Sequence, residues 1–229
     1  MQAFIQNMIN GLAQGSVYAL VALGYTMVYG VLQFINFAHS DIFMLGAFAG
    51  LYVAGYFAGI HSPVILLALV MTGSMIFCMI IALTVERIAY RPLRTAPRVN
   101  VLITAIGVSL FLENLGQVIF GADPRFFPSI IATTSMLAES DGGIVLTNIQ
   151  VLVVSVAIVL MVVLHWIVHH TKLGMAMRAL SFDIETANLM GIPTDRIIVF
   201  TFLIGSALAG AASVLYGLSY PKIEPLLGV

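Results

Sequence analysis

The sequence predicts an all-α polytopic membrane protein, a single domain over residues 1–229 built as a bundle of about six transmembrane helices. Three observations carry that reading. Sixty-one percent of the 229 residues are apolar. Only 8% are charged, where a soluble domain has about a quarter. Apolar stretches of about 20 residues, long enough to cross a bilayer, recur along the whole chain. A soluble fold of this length has too little interior to hide so much apolar surface, whereas lipid is a good solvent for the outer face of a bundle. The formal net charge of −1 offers no basic field to a nucleic acid. Cys78 is the single cysteine and has no disulfide partner. Residues 1–10 carry no Lys or Arg, so they lack the basic start of a cleaved signal peptide, and the first apolar stretch reads as a retained span.

The spans, in order, are residues 8–29, 42–60, 63–85, 100–120, 149–168 and 197–217. Their connections differ in charge. Residues 86–98 hold Arg87, Arg91, Arg94 and Arg98, and residues 169–196 hold Lys172, Arg178 and Arg196, whereas residues 121–148 hold only Arg125 and the tail only Lys222. Positive residues stay on the cytoplasmic side, which places the two Arg-rich connections inside and both termini of the chain outside. The connection 31–41 (VLQFINFAHSD) has no Lys or Arg and is half apolar. It predicts a broken or re-entrant segment lining a cavity, with an interfacial loop as the alternative. In the outer loop 121–148, Pro124, Pro128 and the turn signal Asp141-Gly142-Gly143 suggest a folded cap with a small hairpin. Such a cap either meets a delivery protein or merely joins two spans.

Inside the spans, Gly11, Gly15, Tyr18, Ala22, Tyr25 and Tyr29 form one stripe. Gly46, Gly50, Ala54 and Ala58 form another, with Gly55 and Gly59 beside it. Small residues at this spacing let helices approach closely, so these stripes predict packing seams within the chain or against a sister subunit. Ser109, Glu113 and Gln117 share a face of the fourth span, with Gly116 beside them. A carboxyl at membrane depth costs about 3 kcal/mol and has to face the bundle or a wet path. Glu113 therefore either lines a route or is a hydrogen-bonded structural residue. His165, His169 and His170 offer an H-x-x-x-H-H pattern, but the remaining histidines are only His39 and His61, too few for a multi-box metal centre. A helix C-terminus suits imidazoles without any metal.

Residues 171–196 (TKLGMAMRALSFDIETANLMGIPTDR) contain a helix at about residues 184–190. Asp183 is its N-cap, Glu185 lies in its first turn, and Gly191 with Pro193 ends it. Ile184, Ala187 and Met190 or Leu189 give it an apolar face, which can lie on lipid, pack under the bundle or dock into a partner.

The pattern Glu185-x-Ala187-x-x-x-Gly191 followed by Pro193 resembles the coupling-loop signature of bacterial ABC importer permeases. LGYTMVYGVLQFINFAHSDIFMLGAF (23–48), ITAIGVSLFLENLGQVIFGADPRFFP (103–128) and GMAMRALSFDIETANLMGIPTDRIIVFTFLIGSALAGAAS (174–213) together resemble the LIV-type branched-chain amino acid permease family over nearly the whole chain. That resemblance implies a permease subunit of the bacterial inner membrane, with no cofactor, translocating leucine, isoleucine and valine. It also implies a homologous permease subunit, two cytoplasmic ATPase subunits and a periplasmic solute-binding protein as partners. Asp183, Glu185, Ala187, Gly191 and Pro193 would then couple to the ATPase. Asn36, His39, Asp41 and Thr104 are the candidate polar residues of the substrate pathway, with Glu113 beside them. Thr186, Ser40 and Glu113 stand where the family usually has Ala, Gly and often Gln. Family members continue past the position of Val229 with further Gly-rich spans, so the chain is expected to lack C-terminal spans. No G-x-x-x-x-G-K-[ST] loop is present, so ATP phosphates have no such cradle here and the energy must come from a partner. The rival readings are a urea or short-amide permease of the same architecture, a proton-coupled carrier using Glu113, and a membrane enzyme built on the histidines.

Overall fold

In the computed structural model, which describes residues 2–94, 96–137 and 145–225, helix α1 (Gln2–Leu32) ends where Gln33 takes φ 55°. That left-handed conformation is uncommon outside glycine. It is fixed at both ends: the Gln33 amide donates to the Tyr29 carbonyl at 2.7 Å, and the side-chain Nε2 donates to the Ser181 carbonyl at 3.1 Å. Helix α2 (Ala38–Tyr56) follows. The break predicted for 31–41 is present but narrower, at residues 33–37, and α2 begins and ends four residues before the predicted span. The polar run His39-Ser40-Asp41 is helical because α2 does not face lipid. Its first 13 residues, with Ser40 as an exception, are buried among α3, α4 and α8.

Among the described residues, five helices are long and apolar enough to cross a membrane by composition; α2, packed among three of them, is not one of the five. Helix α3 (Pro63–Val85), opened by a proline at its first position, continues through a π turn (Glu86–Tyr90) and a 3-10 turn (Arg91–Leu93). The predicted loop 86–98 is therefore helical for more than half its length, because Glu86 and Tyr90 are buried there rather than solvated. Helix α4 (Arg98–Phe120) ends at Gly121 with φ 88°. A capping box of Thr147 and Gln150 starts α5 (Asn148–His170). An unpredicted helix, α6 (Lys172–Phe182), follows at once, capped by the Thr171 hydroxyl accepting from the Gly174 amide. Then come α7 (Ile184–Leu189) and α8 (Thr194–Ser219). Outside the helices, β1 (Arg125–Phe126) pairs antiparallel with β4 (Lys222–Ile223), and β2 (Ser135–Leu137) with β3 (Leu146–Thr147). The turn signal Asp141-Gly142-Gly143 lies outside the described residues.

α8 runs through the centre, against α1, α2 and α3. Glycine makes that possible. A Cβ on Gly205 would sit 2.9 Å from the Gly24 carbonyl oxygen, and one on Gly210 would sit 2.9 Å from the Ser74 carbonyl oxygen. The Ser74 hydroxyl, between Gly46 and Gly210, reaches their carbonyls at 2.8 and 3.0 Å. Such an interhelical bond contributes only about 0.6 kcal/mol, so close packing by glycine fixes the crossing. Of the predicted seams, Gly46 and Gly50 are packed, but a Cβ on Gly11, Gly15, Gly55 or Gly59 would meet nothing within 4 Å.

The ends of the bundle differ chemically. Gln6 exchanges hydrogen bonds with the Val145 backbone, and Gln150 donates to Asn10, so the start of α1 and the long loop share one end. The arginines that follow α3 and Arg196 in the first turn of α8 share the other.

Candidate functional site

Helix α7 is held as a fixed projection at the basic end. The Asp183 carboxylate accepts from the Glu185 and Thr186 amides at 2.9 and 3.1 Å and from the Thr186 hydroxyl at 2.6 Å. Those bonds, the Thr186 hydroxyl foremost, hold its pKa below the ordinary aspartate value. Thr186 thus adds a third bond to the cap. At the other end the Gly191 amide donates to the Asn188 carbonyl at 3.0 Å and the Ile192 amide to the Ala187 carbonyl at 3.1 Å, with Gly191 at φ 81°. This is a Schellman motif, and its left-handed position explains the glycine. Pro193 follows, its carbonyl accepting from Arg196 and Ile197 as α8 begins.

Only Ala187 of α7 is buried. Phe182 and Leu189 are each 88% exposed and Met190 is 80% exposed. The predicted apolar face is real, but apart from Ala187 it points outward, away from the bundle. Glu185 is exposed beside it.

Behind α7, charge ties α3 to α8. Arg94 contacts both Glu86 and Asp195, the latter at 2.6 Å, and Arg91 reaches Asp195 at 3.0 Å. Glu86 is fully buried; Asp195 is exposed. Neither Glu86 nor Tyr90 stood out in the sequence, because both sit in an Arg-rich stretch that reads as a solvated loop. Tyr90 donates to Asn36 Oδ1 at 2.7 Å and packs against Phe34 and Phe202.

The predicted pathway residues divide into two groups. Asn36 and Asp41 are buried toward α3 and α4, where the Tyr90 and Ser109 hydroxyls donate to them, the latter at 2.5 Å. Thr104 and Glu113 are half-buried on α4. His39 is buried on the opposite side, against Gly24 and edge-on to Tyr25, and its Nε2 has no hydrogen-bond partner among the described residues. His165 and His169 stack at 4.1 Å in the last turns of α5.

The family described as "Branched-chain amino acid transport system / permease component" matches residues 7–229. The chain is 37% identical over 228 residues to the high-affinity branched-chain amino acid transport system permease protein BraD of Pseudomonas aeruginosa. It is equally similar to LivH of Escherichia coli, the match covering 98% of this chain and 74% of each relative. A probable LivH of Methanocaldococcus jannaschii is 28% identical over 199 residues, 84% of this chain and 60% of the relative. No solved structure matches. With a family match over almost its full length and five helices long and apolar enough to cross a membrane among the described residues, the chain belongs to the permease components of branched-chain amino acid transport systems.

Proposed function

We propose that the chain is the membrane-spanning subunit of an ABC importer that moves leucine, isoleucine and valine inward, with α7 as the element that engages a separate ATPase. The observation that carries this is the geometry of α7. Phe182, Leu189 and Met190 are held outside the bundle, on and immediately beside a helix stopped at both ends by specific caps. Water penalises that arrangement unless another protein covers it, and a rigid knob is what a groove on a motor subunit needs.

The basic end faces the cytoplasm on the positive-inside argument, which places both termini of this chain in the periplasm of a bacterial inner membrane. The loop end then meets a solute-binding protein. A homologous permease subunit packs on the exposed Gly11, Gly15, Tyr18 and Ala22 face of α1. Two ATPase subunits supply the energy, and the chain itself catalyses no reaction. Asn36, Asp41, Thr104 and Glu113 line the route with Ser109, while His39 serves the packing of α1 on α2.

Uptake of labelled leucine in cells with and without the gene, with valine and urea as competitors, tests the reading. Gene-dependent uptake suppressed by valine supports it; suppression by urea alone moves the substrate to amides. Gly191→Pro, which abolishes the Schellman end, should stop uptake at unchanged membrane levels. Unimpaired uptake in that variant would remove the coupling role.

A further inference from the structure

Two cavities that the transport reading does not use adjoin on one face of the bundle. The first, about 240 Å³ at the basic end, is walled by Arg87, Arg91, Arg94 and Arg196, with Asp195 and Phe200. The second, about 300 Å³, lies between α3, α5 and α8 and is lined by apolar residues only, among them Met75, Met79, Leu164, Leu203 and Ala207. Phe200 belongs to both.

On α8 the lining positions 196, 199, 200, 203, 204, 207 and 208 follow the helical repeat, so one continuous stripe leads from guanidinium groups into the apolar groove. At about 1.5 Å per residue it runs roughly 18 Å, close to the roughly 15 Å depth of one leaflet. Charge favours an anion. Four arginines face two carboxylates, Asp195 and Glu86, leaving an excess of two positive charges. Arg91 and Arg94 are engaged by those carboxylates. Arg87 and Arg196 are exposed, and neither meets a carboxylate among the described residues. Arg94 Nε is buried with no hydrogen-bond partner among them.

We propose that this face binds an anionic phospholipid, its phosphate held by Arg87 and Arg196 and one acyl chain laid along the α3–α5–α8 groove. Guanidinium groups pair with phosphate in bidentate fashion. Basic pockets between membrane helices, open to an apolar groove, suit lipid head groups in particular. A soluble anion would use the arginines and leave the groove unused. The inference needs only that the chain spans a membrane and is independent of the transported solute.

The test is native mass spectrometry of the full complex, titrated with phosphatidylglycerol and with phosphatidylethanolamine of matched chains. The wild type should hold phosphatidylglycerol preferentially. Arg87→Gln/Arg196→Gln, which spares the Arg94 contacts, should weaken it about tenfold or more at roughly 1 kcal/mol per basic residue. Ala207→Phe, which fills the groove, should weaken it with every arginine in place. Equal affinity for the two lipids, or unchanged binding in both variants, overturns the proposal. So does displacement by millimolar inorganic phosphate, the behaviour of a free-anion pocket. Loss of the ATPase subunits from the double variant at constant lipid content would assign the arginines to a protein contact instead.

Discussion

Arg94→Met is the substitution expected to cost most at the basic end, and the structure says why. Glu86 is fully buried and Arg94 is 17% exposed in its side chain. Removing the cation strands a carboxylate whose second oxygen, Oε2, already lacks a partner among the described residues. Breaking such a pair from one side costs about 3–5 kcal/mol, against a total stability of about 5–15 kcal/mol for a folded domain. The Arg91–Asp195 contact, with side chains 56% and 60% exposed, contributes at most about 1 kcal/mol. Denaturation of the purified chain in mixed micelles, read by intrinsic fluorescence, should rank Arg94→Met far below wild type and Arg91→Gln beside it. The double variant Glu86→Gln/Arg94→Met should recover much of the loss, since no charge is then left buried. The reasoning is refuted if Arg94→Met stays within about 1 kcal/mol of wild type, or if the double variant is no more stable than the single.

Gly205→Leu drives a side chain into the Gly24 backbone and should cost at least the roughly 1–3 kcal/mol of overpacking, while Gly11→Val, on an open face, should stay within about 0.5 kcal/mol in the isolated chain; the same denaturation assay reads both. The Asp183 pKa is held below the ordinary aspartate value in the folded state, so its capping contribution is complete above the ordinary value and is lost as pH falls through the folded one. Hydrogen exchange at the Glu185 and Thr186 amides should therefore quicken in acid beyond its intrinsic pH dependence, and that excess should vanish in Asp183→Asn. Glu113→Gln should leave leucine uptake largely intact, because the described structure gives Glu113 neither hydrogen bond nor ion pair; complete loss at normal protein level would point to a proton-coupled carrier.

What the sequence made legible was whatever obeys one dominant force. Bilayer solvation alone places five of the helices within a few residues, apart from the extensions at the start of α1 and the end of α3. The caps of α7 follow from Asp183, Gly191 and Pro193, because helix ends demand particular local chemistry. The departures arise where two forces compete. Asp41 and His39 read as loop residues because polarity argues against membrane depth, yet the first part of α2, residues 38–50, is buried in the bundle. Glu86 reads as solvated, yet Arg94, eight residues on, returns through π and 3-10 turns to meet it. Helix α6 was hidden by its brevity and its Lys and Arg, although Gly174, Met177 and Leu180 do bury one side. Gly11 and Gly24 look alike on one helix, and only the path of α8 decides which of them is a contact.

The same competition indicates which part of the bundle moves. A cycle that parted α3 from α8 would break the Arg91 and Arg94 contacts to Asp195 and open the close packing of Gly210 on the Ser74 and Met75 backbone. It would also pull Tyr90 from Phe202. α4 packs less extensively, chiefly on α2 and the π turn, and an apolar groove of about 290 Å³ separates it from α3. Moving α4 from α2 exchanges one hydrogen bond, Ser109 to Asp41, worth about 1 kcal/mol net, and unstacks Phe120 from Phe48, worth about 0.5–1.5 kcal/mol. Motion delivered at α7 should thus carry α3 and α8 as one body, with α4 shifting against them beside the Asp41 carboxylate. Spin labels on α3 and α8 at the basic end should keep their separation with and without ATP in the assembled transporter, while an α2–α4 pair changes. A changing α3–α8 distance with a constant α2–α4 distance would show that the Arg91 and Arg94 contacts to Asp195 are the hinge and not the brace.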